Sequence, residues 1–199
     1  MAAKKLNLKI RQGETFLRVI RWETPPFIYK AITAITQSGP VGITSTAHGL
    51  KTGWRVAVVS VGGMYEINAL NDPPRDNEFK QCTYVDPDTI QINNVNSTPY
   101  TPYTSGGYLQ FYTPVDLVGY TARMTIKTKI GGTILLALVS PTDIAIDNTN
   151  HTITITITAT ATAALTWTRG VYDLEMVGPT GIVTTIFSGT VDVTEEVTT

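Results

Sequence analysis

A strand-like opening, Phe16-Leu17-Arg18-Val19-Ile20-Arg21-Trp22, finds its continuation only at Pro114, beyond a stretch that carries a β pattern of its own. The reading that follows is one β domain set inside another. The sequence predicts an all-β chain: an Ig-like antiparallel β-sandwich made of residues 1–30 and 113–199, interrupted by a small β-barrel of residues 31–112. An insert whose own ends lie close adds little loop-closure entropy, so the host can fold around it. Trp22 and Tyr120, on either side of the insert, are then expected to share one core.

The strand signals are alternation and turn chemistry. Leu6-Asn7-Leu8-Lys9-Ile10 alternates apolar and polar residues, as a strand with one buried face does. Pro25-Pro26 is expected to end the strand that closes at Trp22, because proline lacks a ladder donor and restricts its predecessor. Within the insert, turns are expected at Ser38-Gly39-Pro40 and Gly62-Gly63, a short helical or irregular piece at 64–70, and an exposed loop at 71–77. A hairpin about Asp86-Pro87-Asp88 and a closing strand through Gly106-Gly107-Tyr108-Leu109-Gln110-Phe111 complete it. Beyond Pro114, Thr152-Ile153-Thr154-Ile155-Thr156-Ile157-Thr158 alternates strictly, which puts its isoleucines in a core and its threonines outside. The alanine-rich stretch 159–165 predicts one helical turn.

Composition narrows the function classes. Charged residues make up 16% of the 199 residues, against roughly 25% in an average soluble domain, so surface is available for burial against neighbours. Fifteen Lys+Arg balance sixteen Asp+Glu. No concentrated positive field exists beyond the short group Lys4, Lys5, Lys9 and Arg11, so nucleic acid is not the expected partner. The single cysteine, Cys82, rules out an internal disulfide and a multi-cysteine metal site, and its strand-like setting predicts a buried thiol. No signal-peptide pattern or membrane-length apolar run is present, which places synthesis in a cytoplasm and predicts no membrane partner.

The motifs Gln12-Gly13-Glu14-Thr15-Phe16, Pro114 to Arg123, Gly170-Val171-Tyr172-Asp173-Leu174-Glu175, and Gly189-Thr190-Val191 before Glu196-Val197-Thr198 together resemble β-sandwich proteins of tailed bacteriophages. They look akin to the N-terminal domain of phage baseplate upper proteins. The middle section, through Ile43 to Gly53, Gly62-Gly63-Met64, Asn68 and Tyr103 to Gly107, is similar to the small β-barrel related to the first catalytic cysteine half-domain of ubiquitin-activating enzymes. The resemblance implies a virion component assembled in the host bacterial cytoplasm, with other tail, baseplate, fibre or collar proteins and further copies of itself as partners. A head, collar or head-to-tail decoration protein is the alternative within that class.

Catalytic signatures are weak. The two histidines, His48 and His151, fall at turns without a nucleophile-elbow motif and read as turn or surface residues. Asp116, Asp173 and Glu175 stand at strand starts or within strands, where capping and solvent roles precede a glycosidase pair. Asp143, Asp147, Asn148 and Asn150 supply clustered oxygens but miss the ligand spacing of a calcium loop, and local turn bonding explains them as well. Gly49-Leu50-Lys51-Thr52-Gly53 has phosphate-loop residue types in the wrong order and no helix after it. No catalytic residue, metal or cofactor is therefore assigned. The candidate binding surface is aromatic: Tyr100, Tyr103, Tyr108 and Tyr112, with Phe111 beside them. These rings either stack on sugar or protein, or fill the barrel interior. The leading expectation is a non-enzymatic assembly protein; a carbohydrate-recognition module for host attachment is the alternative from another class.

Overall fold

The computed structural model describes residues 3–196. Among these residues the chain is all-β apart from one short helix and one 3-10 turn. It opens with β1 (Lys4–Lys5), β2 (Leu8–Arg11) and β3 (Phe16–Ile20). It continues through β4 (Glu23–Ala31), β5 (Ala34–Ile35), β6 (Val41–Thr44), β7 (Arg55–Gly62), β8 (Lys80–Gln81), β9 (Thr83–Asp86), β10 (Thr89–Ile92) and β11 (Ser105–Pro114). It closes with β12 (Thr121–Lys127), β13 (Ile134–Val139), β14 (Ile144–Asp147), β15 (Thr152–Ile157), β16 (Arg169–Val177) and β17 (Val183–Thr194), with helix α1 (Ala159–Ala163) ahead of β16. Two compact units result: an outer one, from residues up to Trp22 together with those from Pro114 onward, and an inner one, Glu23–Thr113.

In the outer unit one sheet runs β1-β17-β16-β12-β13, with β2 also beside β17, and a second runs β14-β15-β3. Both face one core. Leu8 and Ile10 of β2, Met124 and Ile126 of β12, and Leu174 and Met176 of β16 meet Ile153, Ile155 and Ile157 of β15 there. Each such side chain, fully buried, contributes about 1.5–3 kcal/mol relative to exposure. The alternation of β15 is as the sequence predicts, isoleucines buried and threonines on the other face. Thr158 caps α1 by accepting the Ala161 N–H at 3.2 Å, which satisfies one of the donors a helix start leaves open.

The N-terminal strands run parallel to β17, with Lys4 opposite Phe187 and Leu8 opposite Val191. Between them Leu6 passes so close that a Cβ on Gly189 would stand 2.3 Å from its carbonyl oxygen, so this position requires glycine. The Tyr172 hydroxyl donates to the same Leu6 carbonyl at 2.7 Å. The arm is thus held within its own chain. Trp22 and Tyr120 meet with ring centroids 5.7 Å apart at 90°, packed against the outer core.

The inner unit has two four-stranded sheets, β5-β6-β10-β9 and β4-β11-β7-β8, around a core that includes Val41, Ile43, Leu50, Trp54, Val58, Ile90, Leu109 and Phe111. Cys82 is buried in it. The expected boundary at residue 30 is corrected here: residues 23–30 belong to the inner unit, as β4 beside β11. Pro25 and Pro26 do not break this strand. β4 lies at the sheet edge, where a residue without an N–H leaves no ladder bond unmade on the outer side. Residues 64–70 hold a 3-10 turn, Tyr65–Ile67, and the loop that follows is tied by Glu78, whose carboxylate accepts the backbone N–H of Leu70, Asn71 and Arg75. Val197 and Thr198, which entered the phage resemblance, lie outside the described residues.

Candidate functional site

Most of the polar residues singled out in the sequence are engaged in local structure, while Asp173 is exposed on β16. His48 sits in the expected turn but is buried rather than on the surface. Its Nδ1 accepts the Leu50 N–H at 2.9 Å, which leaves the proton on Nε2 to donate to the Asp86 carbonyl at 3.0 Å. The ring thus replaces backbone bonds that the turn cannot make. His151 donates from Nδ1 to the Val115 carbonyl at 3.1 Å. Asp116 caps the Val118 N–H, and Glu175 pairs with Arg123 at 2.6 Å. Leu50, within the glycine-bounded turn, is fully buried, and β7 rather than a helix follows.

The Asp/Asn cluster is a set of turn locks. Asp147 accepts from the backbone N–H of Thr149 and Asn150 and from the Asn150 side chain, and these bonds, led by the side-chain one, hold its carboxyl below the usual range. Asn148 Oδ1 accepts the Leu117 N–H at 2.6 Å. Asp143 Oδ2 accepts the Val139 N–H at 3.0 Å. No group of three His, Cys, Asp or Glu residues able to hold a metal is present among the described residues.

The four candidate tyrosines divide into two pairs. Tyr100 and Tyr103 pack against the inner core, and the Tyr103 hydroxyl lies 3.0 Å from the Gly106 carbonyl and 3.2 Å from that of Ile32. On β11, Leu109 and Phe111 point into the core while Tyr108, Gln110 and Tyr112 alternate onto the opposite face. That face carries rings from elsewhere in the chain. Phe27 of β4 lies 4.4 Å from Tyr112 and Tyr29 lies 6.2 Å from Tyr108, centroid to centroid. Phe79 stacks on Tyr112 at 5.5 Å, and the Arg55 guanidinium stands 5.8 Å from the Phe79 centroid while pairing with Glu23 at 3.7 Å. The result is an aromatic strip across the sheet, with a charged pair at one end.

Phe27, Tyr29, Phe79 and Gln110 were not read as part of a surface. The i, i+2 spacing of Phe27 and Tyr29 is the signal that could have found them, since it puts both rings on one strand face. The sheet edge β13 was also missed. Its sequence, Ile134-Leu135-Leu136-Ala137-Leu138-Val139, has neither charge nor proline, and Ile134, Ala137 and Val139 are exposed. The other outer-unit edges are guarded: β1 is two lysines, β3 has Arg18 at its centre, and β14 is four residues ending in Asp147. On β13 the exposed Val139 peptide is capped by Asp143, which leaves the stretch before it open.

A comparison of the chain with protein-family models and with curated proteins finds no match.

Proposed function

We propose that this chain is a non-enzymatic structural component of a tailed-bacteriophage virion, an adaptor in the tail, baseplate or fibre-attachment region. The observation that carries the reading is β13, an uncharged apolar strand at a sheet edge whose companion edges are guarded. Long apolar edges invite strand pairing and are otherwise selected against in free proteins. A partner strand, from a neighbouring virion protein or another copy, would satisfy the open peptide groups and cover Ile134 and Ala137 at once. Repetition by particle symmetry then multiplies a modest contact. The phage resemblance of the outer-unit motifs supplies the setting, and the in-chain pairing of β1 and β2 favours β13 over the N-terminal strands as the assembly contact.

The test is a cryo-EM reconstruction of the particle that contains this chain. Density at tail, baseplate or fibre joints with β13 covered is the expected result. A position on the head or collar changes the role to decoration, and absence from purified particles overturns the reading.

A further inference from the structure

The aromatic face of the inner unit contains a buried donor without an acceptor. Gln110 is 1% exposed, and its Nε2 has no hydrogen-bond partner. Such groups are rare in folded proteins and destabilise them unless a water, an ion or a ligand supplies what is missing. By the strand's alternation Gln110 shares its face with Tyr108 and Tyr112. Across the ladder its neighbour is Ala57, whose methyl group offers neither donor nor acceptor.

At one end of this face Tyr29 and Tyr108 are 53% and 45% exposed, with their rings at 88°. The edge of one ring meets the face of the other, and both keep about half of their surface open. The charged groups around this sheet are engaged elsewhere: Lys30 Nζ donates to the Ala47 carbonyl, and Arg55 pairs with Glu23 beside Phe79. Strand addition is blocked at both edges, since β4 carries Pro25-Pro26 and β8 is two residues long. A ligand must therefore come over the face, must be neutral, and must offer both an apolar surface for ring stacking and oxygens that accept from an amide. A pyranose meets all three conditions, with C–H groups for the tyrosine rings and hydroxyl oxygens for the amide.

We propose that Tyr29, Tyr108 and Gln110 form a glycan-binding site, with the tyrosines as stacking surfaces that part to uncover the Gln110 amide, buried on the same strand face, as donor to a sugar oxygen. The site stands on inner-unit geometry alone, independent of the virion reading.

The experiment probes an array of purified neutral bacterial surface polysaccharides with the full-length chain, then repeats the strongest binder with variants. Tyr29→Ala and Tyr108→Ala are expected to weaken binding at least about tenfold, while Tyr65→Ala, a still more exposed ring of the same unit, leaves it unchanged. Gln110→Leu is expected to weaken binding while Tm holds or rises, because the unpaired donor is gone. A blank array from folded protein overturns the proposal, as does binding indifferent to Tyr108→Ala. A Gln110→Leu variant with lower Tm and intact binding identifies an enclosed water as the amide's partner and removes the residue from the site. A particle reconstruction with Tyr29 and Tyr108 buried against a protein subunit assigns the face to assembly instead, and overturns the glycan site while leaving the virion reading in place.

Discussion

Replacing Tyr172 with phenylalanine tests whether the N-terminal arm is anchored in its own chain. Tyr172 is 4% exposed and its hydroxyl donates to the Leu6 carbonyl at 2.7 Å. Burial, with the Asp173 charge adding to it and Arg18 opposing, pushes the phenol up from 10.0 to about 12. Near neutral pH the variant loses one hydrogen bond, a cost of about 1 kcal/mol. In alkali the sign changes. A phenol whose folded pKa lies above its unfolded one contributes its stability below the unfolded value, about pH 10, and loses it as pH rises through the folded value. For a shift of about two units the wild type gives up about 1.4 kcal/mol by about pH 11 and approaches about 2.7 kcal/mol above about pH 12, losses that the Tyr172→Phe variant cannot suffer. The two stability curves should therefore cross at about pH 11, with wild type the more stable below and the variant above. Urea unfolding at half-unit pH steps measures both; the other tyrosines and the lysines titrate equally in each protein and cancel in the difference. A difference that stays flat from about pH 8 to about pH 12 would refute the argument, because it would mean the hydroxyl is neither buried nor bonded to the arm.

Ala137→Pro should leave Tm nearly unchanged, since the Val139 peptide faces Asp143, away from β12, and the two-residue period turns the Ala137 N–H the same way; incorporation into particles, scored by mass spectrometry, should fall sharply, and normal incorporation would remove β13 from the assembly contact. Glu78→Ala should release the three amides that its carboxylate holds, read as faster hydrogen exchange at Leu70, Asn71 and Arg75. Backbone hydrogen bonds, that of Arg75 foremost, hold the Glu78 carboxyl below its usual range, so in wild type the same protection is present above about pH 4.5 and fades as pH falls below it. Calcium should not move Tm, because the Asp147 oxygens already accept three N–H groups; a rise with metal concentration would reinstate the ion site.

The parts of the fold legible in the sequence are those where a single periodicity meets a single core. β15 alternates Ile and Thr without exception, and its burial follows. β4 was hidden because two prolines report a broken ladder locally, whereas their tolerance depends on the strand's being at an edge, which only the tertiary arrangement decides. With β4 lost, Phe27 and Tyr29 had no face to belong to. The tyrosine set divided between core and strip for a different reason. Around β11 both faces are aromatic, so apolar character could not tell Phe111, in the core, from Tyr112, on the strip; only the odd and even positions could. The turn position of His48 was legible but its burial was not, because turn composition predicts exposure, while the ring is buried as the hydrogen-bonding partner of the turn's own backbone.

The insertion point follows from one hydrogen bond. The Val115 N–H donates to the Trp22 carbonyl at 3.0 Å, so the host chain is already closed across the place where the inner unit departs and returns. The inner unit begins with β4 and ends with β11, neighbours in one sheet, and Thr113 Oγ1 reaches the Pro26 carbonyl at 2.7 Å close to that exit. To the host, the inserted stretch Glu23–Thr113 therefore costs little more entropy than a loop already pinned at its ends, since closure grows only with the logarithm of length. Edge protection completes the logic. A first strand that must emerge at a sheet edge carries prolines that discourage pairing there, whereas β13, an edge of the other unit, carries neither proline nor charge, the contrast on which the proposed strand addition rests.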